Sequence, residues 1–205
     1  MGIGAAKVEM SKLDTIFNNA EAFKIGYTAK TYAFTDMFFS VDNSYSNIIN
    51  KETLQVLSFS KNTTQPGVTN ILRTFFIDGE AQYLETGTII PNNAFTIFTL
   101  LDYLAIYKPL RPKMLLLECE GLLYNANIIP YNQKNKLIKY QLDLNLQAHS
   151  NRNKLVEHSD IFTWAIFKEG AERYIWVNSE KNRVESCEFD VGYFTLKAEY
   201  LGTDE

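Results

Sequence analysis

Glu118 and Glu120 come nearest to a chemical signature in this chain. Two carboxylates two residues apart on a β-prone run share one strand face, and such a pair does acid and base work when its surroundings push the two pKa values apart. The competing reading turns both toward water, opposite Leu117 and Cys119, and it is preferred because no second constellation supports a reaction. The histidines, His149 and His158, make with Asp160 a conceivable proton-transfer or metal set. Histidines nine positions apart in a polar stretch match no ligand spacing, so they read as exposed linker residues. The glycines of GIGAAK follow no strand and precede no Lys-Ser or Lys-Thr, which makes them a flexible arm rather than a phosphate loop. Trp164 and Trp176 fall in successive tail strands and are expected to pair across them, with a ligand-stacking platform as the weaker alternative. Cys119 alternates in phase with Leu115 and Leu117 and reads as a small buried hydrophobe; a disulfide to Cys187 stays geometrically open. The expected site is therefore empty: no catalytic residue, no cofactor, no metal.

Composition points the same way. The chain has 205 residues, of which 46% are apolar and 14% aromatic, enough for one domain with an appendage or two small domains and too apolar for a disordered chain. A net charge of −4, evenly spread, leaves no basic nucleic-acid arm. Lys134, Lys136 and Lys139 cluster at what reads as a solvated hairpin tip, too few cations to hold a duplex. No run is long and apolar enough to span a membrane, and the opening MGIGAAKVEM reads as neither a secretory leader nor a myristoylation signal, since Ala6 stands where Ser or Thr is required. A reducing compartment is expected.

The clearest element is a strand. From Ile138 to Ala148 apolar and polar residues alternate without a fault, which describes one dry and one wet face of an antiparallel sheet and leaves a single register. Before it, Ala94 to Ala105 carries apolar residues around most of a helix that Pro109 stops, followed by strands at 114–120 and 122–129 and a loop at 130–136. Toward the start, Ser11 precedes Leu13, Ile16, Phe17, Ala20 and Phe23 on one helical stripe with Gly26 as a stop, predicting a short amphipathic helix. One or two strands are expected in 28–43 and another at 54–59. SKNTTQPGVTN, 60–70, reads as a flexible loop, and Asp78-Gly79 as the turn of a hairpin between 71–77 and 81–84. Polar residues 149–160 suggest a boundary, after which 161–167, 174–177, 186–191 and 193–201 read as a small β meander. The expected organisation is an N-terminal arm and helix at 1–27, a β core with one buried helix at 28–149, and a C-terminal β subdomain at 150–205. The fold class is mainly β (α+β), an antiparallel barrel or sandwich with two short helices.

The block AFTIFTLLDYLAIYK, RPKMLLLECEG, LLYNANIIPYNQ and IKYQLDLNLQAH, within 93–149, resembles the tail-tube and distal-tail (baseplate) structural proteins of tailed bacteriophages, in which a helix precedes the strands of a ring-forming barrel. The resemblance implies a non-enzymatic virion component that forms a cyclic homo-oligomer, docks on other tail proteins, orders arms such as 1–10 and 60–70 on assembly, and resides in the virion tail after a stay in the host cytoplasm. The opening strands usual in the distal-tail family are not recognisable in 26–60. Rival readings are another viral structural protein, such as a capsid or connector component; a small-ligand-binding barrel lined by Tyr124, Tyr140, Trp164 and Trp176; and an enzyme using Glu118 and Glu120.

Overall fold

The computed structural model describes residues 6–134, 136–148 and 154–201, with side chains of 132–134 left aside. The chain is mainly β: among the described residues there are fourteen strands and three helices. It divides into two units, Met1–Phe95 with Arg152–Asp160, and Thr96–Asn151 with Ile161–Glu205. The division falls after Phe95, after Asn151 and after Asp160.

The first unit is an antiparallel meander of β1 (Ala6–Phe17), β2 (Ala20–Thr31), β3 (Asp42–Asn50), β4 (Val56–Gln65), β5 (Val68–Ile77), β6 (Glu80–Tyr83) and β7 (Ile89–Ile90), each strand pairing with the next in the sequence. A one-turn helix, α1 (Ala33–Asp36), interrupts the β2–β3 connection, and a two-residue strand, β8 (Ala94–Phe95), ends this stretch. The predicted helix at 11–25 is instead the β1–β2 hairpin. Asn18 and Asn19 both take positive φ, 49° and 64°, and join the Phe17–Ala20 pair as a two-residue turn whose twist suits antiparallel strands. Gly26 is no helix stop: a Cβ there would stand 2.8 Å from Ser11 Oγ on the facing strand, so glycine is what lets these strands pair closely. The predicted loop at 60–70 is likewise a hairpin, because Pro66-Gly67, with Gly67 at φ 76°, turns β4 directly into β5. Asp78-Gly79, φ 51° and 85°, makes the expected turn. Phe17 meets Phe76 edge-on at 5.9 Å although β1 and β5 are not hydrogen-bonded neighbours, so this sheet is coiled rather than flat. It is not a closed barrel.

The second unit holds α2 (Ile97–Tyr107), β9 (Lys113–Cys119), β10 (Leu122–Lys134), β11 (Leu137–Leu146), α3 (Ile161–Phe167), β12 (Glu172–Asn178), β13 (Arg183–Asp190) and β14 (Thr195–Glu199). Its six strands again follow chain order across the sheet. The alternating run is β11, with Ile138, Tyr140 and Leu142 buried on the inner face as expected. α2 starts at a Thr96/Thr99 capping box, ends on Lys108 in the left-handed region just before Pro109, and buries Leu100 and Leu104 completely while packing on β9, β12 and β13. The expected loop at 130–136 is mostly strand: β10 runs through Pro130, which lies beyond the reach of β9 and next to a bulge, where its missing N–H costs no ladder bond. β12 pairs with β11, so the C-terminal meander extends the alternating strand's sheet.

Residues 161–167, predicted as a strand, form α3. A seven-residue apolar run has no period that distinguishes the two, and here Arg173 decides. Its buried guanidinium donates to three carbonyls at the end of that helix: Ile166 through Nε, Ala171 through Nη1 at 2.7 Å and Lys168 through Nη2 at 2.6 Å. Burial lowers the Arg173 pKa, and the nearby Asp143 opposes that shift. Arg173→Ala removes the donors of three carbonyls together, and urea unfolding is expected to show a loss of about 2–4 kcal/mol.

Candidate functional site

The histidine set does not assemble. His149 lies outside the described residues, and His158 is 68% exposed beside Glu157. Asp160, read as a linker residue, is instead completely buried in the first unit. It pairs with Lys61 at 2.6 Å, side chains 0% and 2% exposed, and accepts the Tyr45 hydroxyl at 2.8 Å. The Asn43 amide donates to Tyr45 Oη at 3.2 Å and to Asp160 at 3.4 Å. Register explains the convergence. Ala29, Asn43 and Thr63 form one row across β2, β3 and β4, Tyr27, Tyr45 and Lys61 the next, and Ile25, Asn47 and Phe59 the third. Lys61 therefore occupies a core position in phase with Phe59, and the segment ending at Asp160 supplies its counter-ion. Asn70 helps hold that segment, donating to the His158 carbonyl at 2.8 Å. Asn43 Oδ1 and Thr63 Oγ1 are buried without a hydrogen-bond partner among the described residues, so the cluster is costly as well as tight. An ion pair this enclosed meets no dissolved substrate; its chemistry is to fix a chain segment. The sequence signal for it was the lysine in step with Phe59 and Thr63, hidden by the loop-like composition around it.

Glu118 and Glu120 are 3% and 4% exposed, against the expectation that they face water. Glu118 Oε1 accepts the Gly121 N–H at 2.7 Å, and Glu120-Gly121, φ 53° and 86°, is the β9–β10 turn, so one carboxylate shapes the hairpin whose turn the other occupies. Tyr124 stands nearby; burial, then Cys119 and Glu120, push its phenol well above the usual range. Tyr124 packs on Phe167 at 4.9 Å, whereas Tyr140 is wholly buried on the inner face.

The two tryptophans do not pair. Trp164 sits on α3, stacked on Phe194 at 5.9 Å, while Trp176 lies on β12 on the face opposite Tyr140. There Lys139 Nζ is ringed by Tyr174 at 3.6 Å, Trp176 at 5.0 Å and Tyr131 at 5.1 Å from the ring centroids, so this cage already holds its own cation. Tyr124, Tyr140, Trp164 and Trp176 thus line no common space. Cys119 and Cys187 are both free thiols; Cys119 is only half-buried, whereas burial pushes the Cys187 thiol up to about 12. Among the described residues no group of three metal-ligating side chains forms, and no helix is long and apolar enough to cross a membrane.

What remains is a surface. β1 is the outermost strand of its sheet, twelve residues long, and Val8, Met10, Leu13 and Ile16 are 48–67% exposed. Ala6 pairs with Thr31, so the α1 segment lies at the same end of the sheet as the start of β1. That segment exposes Phe34, Met37 and Phe38 by 70–80%, with Phe34 against Phe38 at 5.7 Å. The tip is held in place: Thr31 Oγ1 donates to Asp36 at 2.7 Å and accepts the Val41 N–H at 3.0 Å, and bonds from Thr31 and Ser40 lower the Asp36 pKa. Large apolar side chains held rigidly in water mark a contact surface more than a loop at rest. A shallow groove of about 290 Å³, lined by Ser44, Ser60, Lys61, Asn62, Ile71 and Arg73, opens on β3–β5. No family model, curated protein or solved structure matches this chain.

Lys61→Met strands the Asp160 carboxylate in the core and is expected to cost about 3–5 kcal/mol by denaturant unfolding, with part recovered in K61M/D160N. Tyr140, whose hydroxyl has no partner among the described residues, has its phenol raised by burial to about 12. Its folded pKa lies above the unfolded value, so the stability it carries is intact below pH ~10 and is lost as pH rises toward ~12. Tyr140→Phe is expected to flatten that alkaline loss and, with no hydrogen bond to forfeit, to change neutral stability by less than about 1 kcal/mol.

Proposed function

We propose that this protein is a non-enzymatic assembly component, a β scaffold whose working surface is the free edge of β1 together with the apolar tip around α1. The observation that carries the reading is a twelve-residue outermost strand with exposed Phe34, Met37 and Phe38 at one end of it. An edge strand offers a row of main-chain donors and acceptors, and an adjoining apolar knob supplies the desolvated anchor that such contacts otherwise lack. The burial of Lys61, Asp160, Glu118 and Glu120 supports the same reading, because the charges best placed for chemistry are spent inside the fold.

The likeness of 93–149 to phage tail-tube and distal-tail proteins supplies the particular setting: a virion tail or baseplate in which this chain binds copies of itself and other tail proteins. The order helix, strand, strand, strand on which that likeness rests is α2, β9, β10 and β11. Of the arms expected at 1–10 and 60–70, the second is built into the sheet and residues 6–10 of the first open β1, while residues 1–5 lie outside the described residues.

The double variant Phe34→Ser/Phe38→Ser tests the reading. Concentration-dependent sedimentation is expected to show self-association weakened by about tenfold or more, with a melting temperature within about 2 °C of wild type because both rings are already in water. Association unchanged by the double variant would remove the tip from the working surface.

A further inference from the structure

We propose that the edge of β1 is built to pair with β1 of a second copy, antiparallel about a two-fold axis through Leu13. This deepens the reading of β1 as a working edge and rests on it.

Phe17 and Ala20 close a two-residue turn and are a hydrogen-bonded pair, so odd-numbered residues of β1 spend their N–H and C=O on β2. The even-numbered Val8, Met10, Lys12, Asp14 and Ile16 present theirs to the free edge. Two copies of one strand related by a two-fold axis normal to the sheet keep their faces, so each residue lies opposite one of the same parity. Only a few registers meet that condition, and charge separates them. Centred on Leu13, Lys12 faces Asp14 of the second copy twice over, Met10 faces Ile16 twice over, Ser11 faces Thr15, and Leu13 faces itself. The outward groups of Met10, Lys12, Asp14 and Ile16 then form about eight main-chain hydrogen bonds.

Neighbouring registers fail. A centre one residue earlier sets Lys12 against Lys12, and one residue later sets Asp14 against Asp14. A centre at Ser11 puts Lys12 against Met10 and Asp14 against Val8, and one at Glu9 sets that carboxylate against itself. Like charges directly opposite are destabilising and unlike charges favourable, so the same residues that discourage indiscriminate edge pairing permit this one. Asp14 Oδ1 bridges to Lys51 at 2.5 Å, and Lys12 Nζ lies 4.2 Å from the Phe23 ring centroid.

Head-to-tail closure is a poorer match. The other terminal strands are β14 with five residues and β7 and β8 with two each, against twelve in β1, so any of them would leave more than half of the longer edge unpaired.

Charge exchange on the full chain tests the proposal. Lys12→Asp and Asp14→Lys are each expected to weaken wild-type dimerisation at least tenfold in sedimentation or native mass measurements, while an equimolar mixture of K12D and D14K forms the heterodimer, its two strands bringing acids against lysines. Both sites are exposed, and circular dichroism at matched concentration establishes that the variants fold. Under mild oxidation Leu13→Cys is expected to give a covalent dimer across the axis, whereas S11C, opposite Thr15, and wild type give none. A wild-type chain that stays monomeric at high micromolar concentration overturns the proposal. So does a dimer indifferent to K12D and D14K and unlinked by L13C, and in that case a response to the Phe34/Phe38 double variant shows that association persists through the tip.

Discussion

The pairing of Lys61 with Asp160 is the constraint on which the first unit rests. Removing two charges from water is expensive, and the Coulomb attraction repays it only when geometry and hydrogen bonding are complete. Here the ammonium sits 2.6 Å from one carboxylate oxygen while Tyr45 and Asn43 serve the other. Either charge left alone would be intolerable, so the two segments are obliged to come together. The interaction is therefore worth more as a specification of path than as net stability. It tells a segment distant in sequence which face of which sheet to cover, and only that arrangement satisfies both ions.

Elsewhere the architecture is built from local decisions. Successive strands pair with their sequence neighbours, and the turns between them are chosen by residues that tolerate positive φ: Asn18-Asn19, Gly67, Asp78-Gly79 and Glu120-Gly121. Since each hairpin closes a short loop, little chain entropy is lost per strand added, and long-range order is needed chiefly where buried charge demands it.

Sequence patterning made some of this legible, and the misses share a cause. β11 was readable because one face is core and the other water, which writes a period of two directly into the residues. α2 was readable because its apolar circumference and Pro109 agree. The β1–β2 hairpin was not, because β1 is exposed on both faces: with no dry side, nothing enforces alternation, and Leu13, Ile16, Phe17 and Ala20 fall by chance on a helical stripe. β4 was readable as far as Phe59, within the strand expected at 54–59, but its second half was missed because the inner face there carries Lys61 and Thr63, polar residues that imitate a loop until their partners are known. α3 was misjudged because its capping donor, Arg173, lies outside it in the sequence. The same logic governs the candidate site. Glu118, Glu120 and the histidines attracted attention by residue type, whereas the surface favoured here consists of ordinary apolar residues distinguished only by exposure.

The enclosure of Cys187 has a consequence of its own. It lies on β13 between Ile175 of β12 and Ala198 of β14, a closed site where burial keeps the thiol protonated. Since only a thiolate attacks an alkylating reagent, labelling at this position has to wait until the flanking strands part. The rate at which the sulfur is modified is then a built-in clock for the opening of that sheet, read from a native atom without any inserted probe.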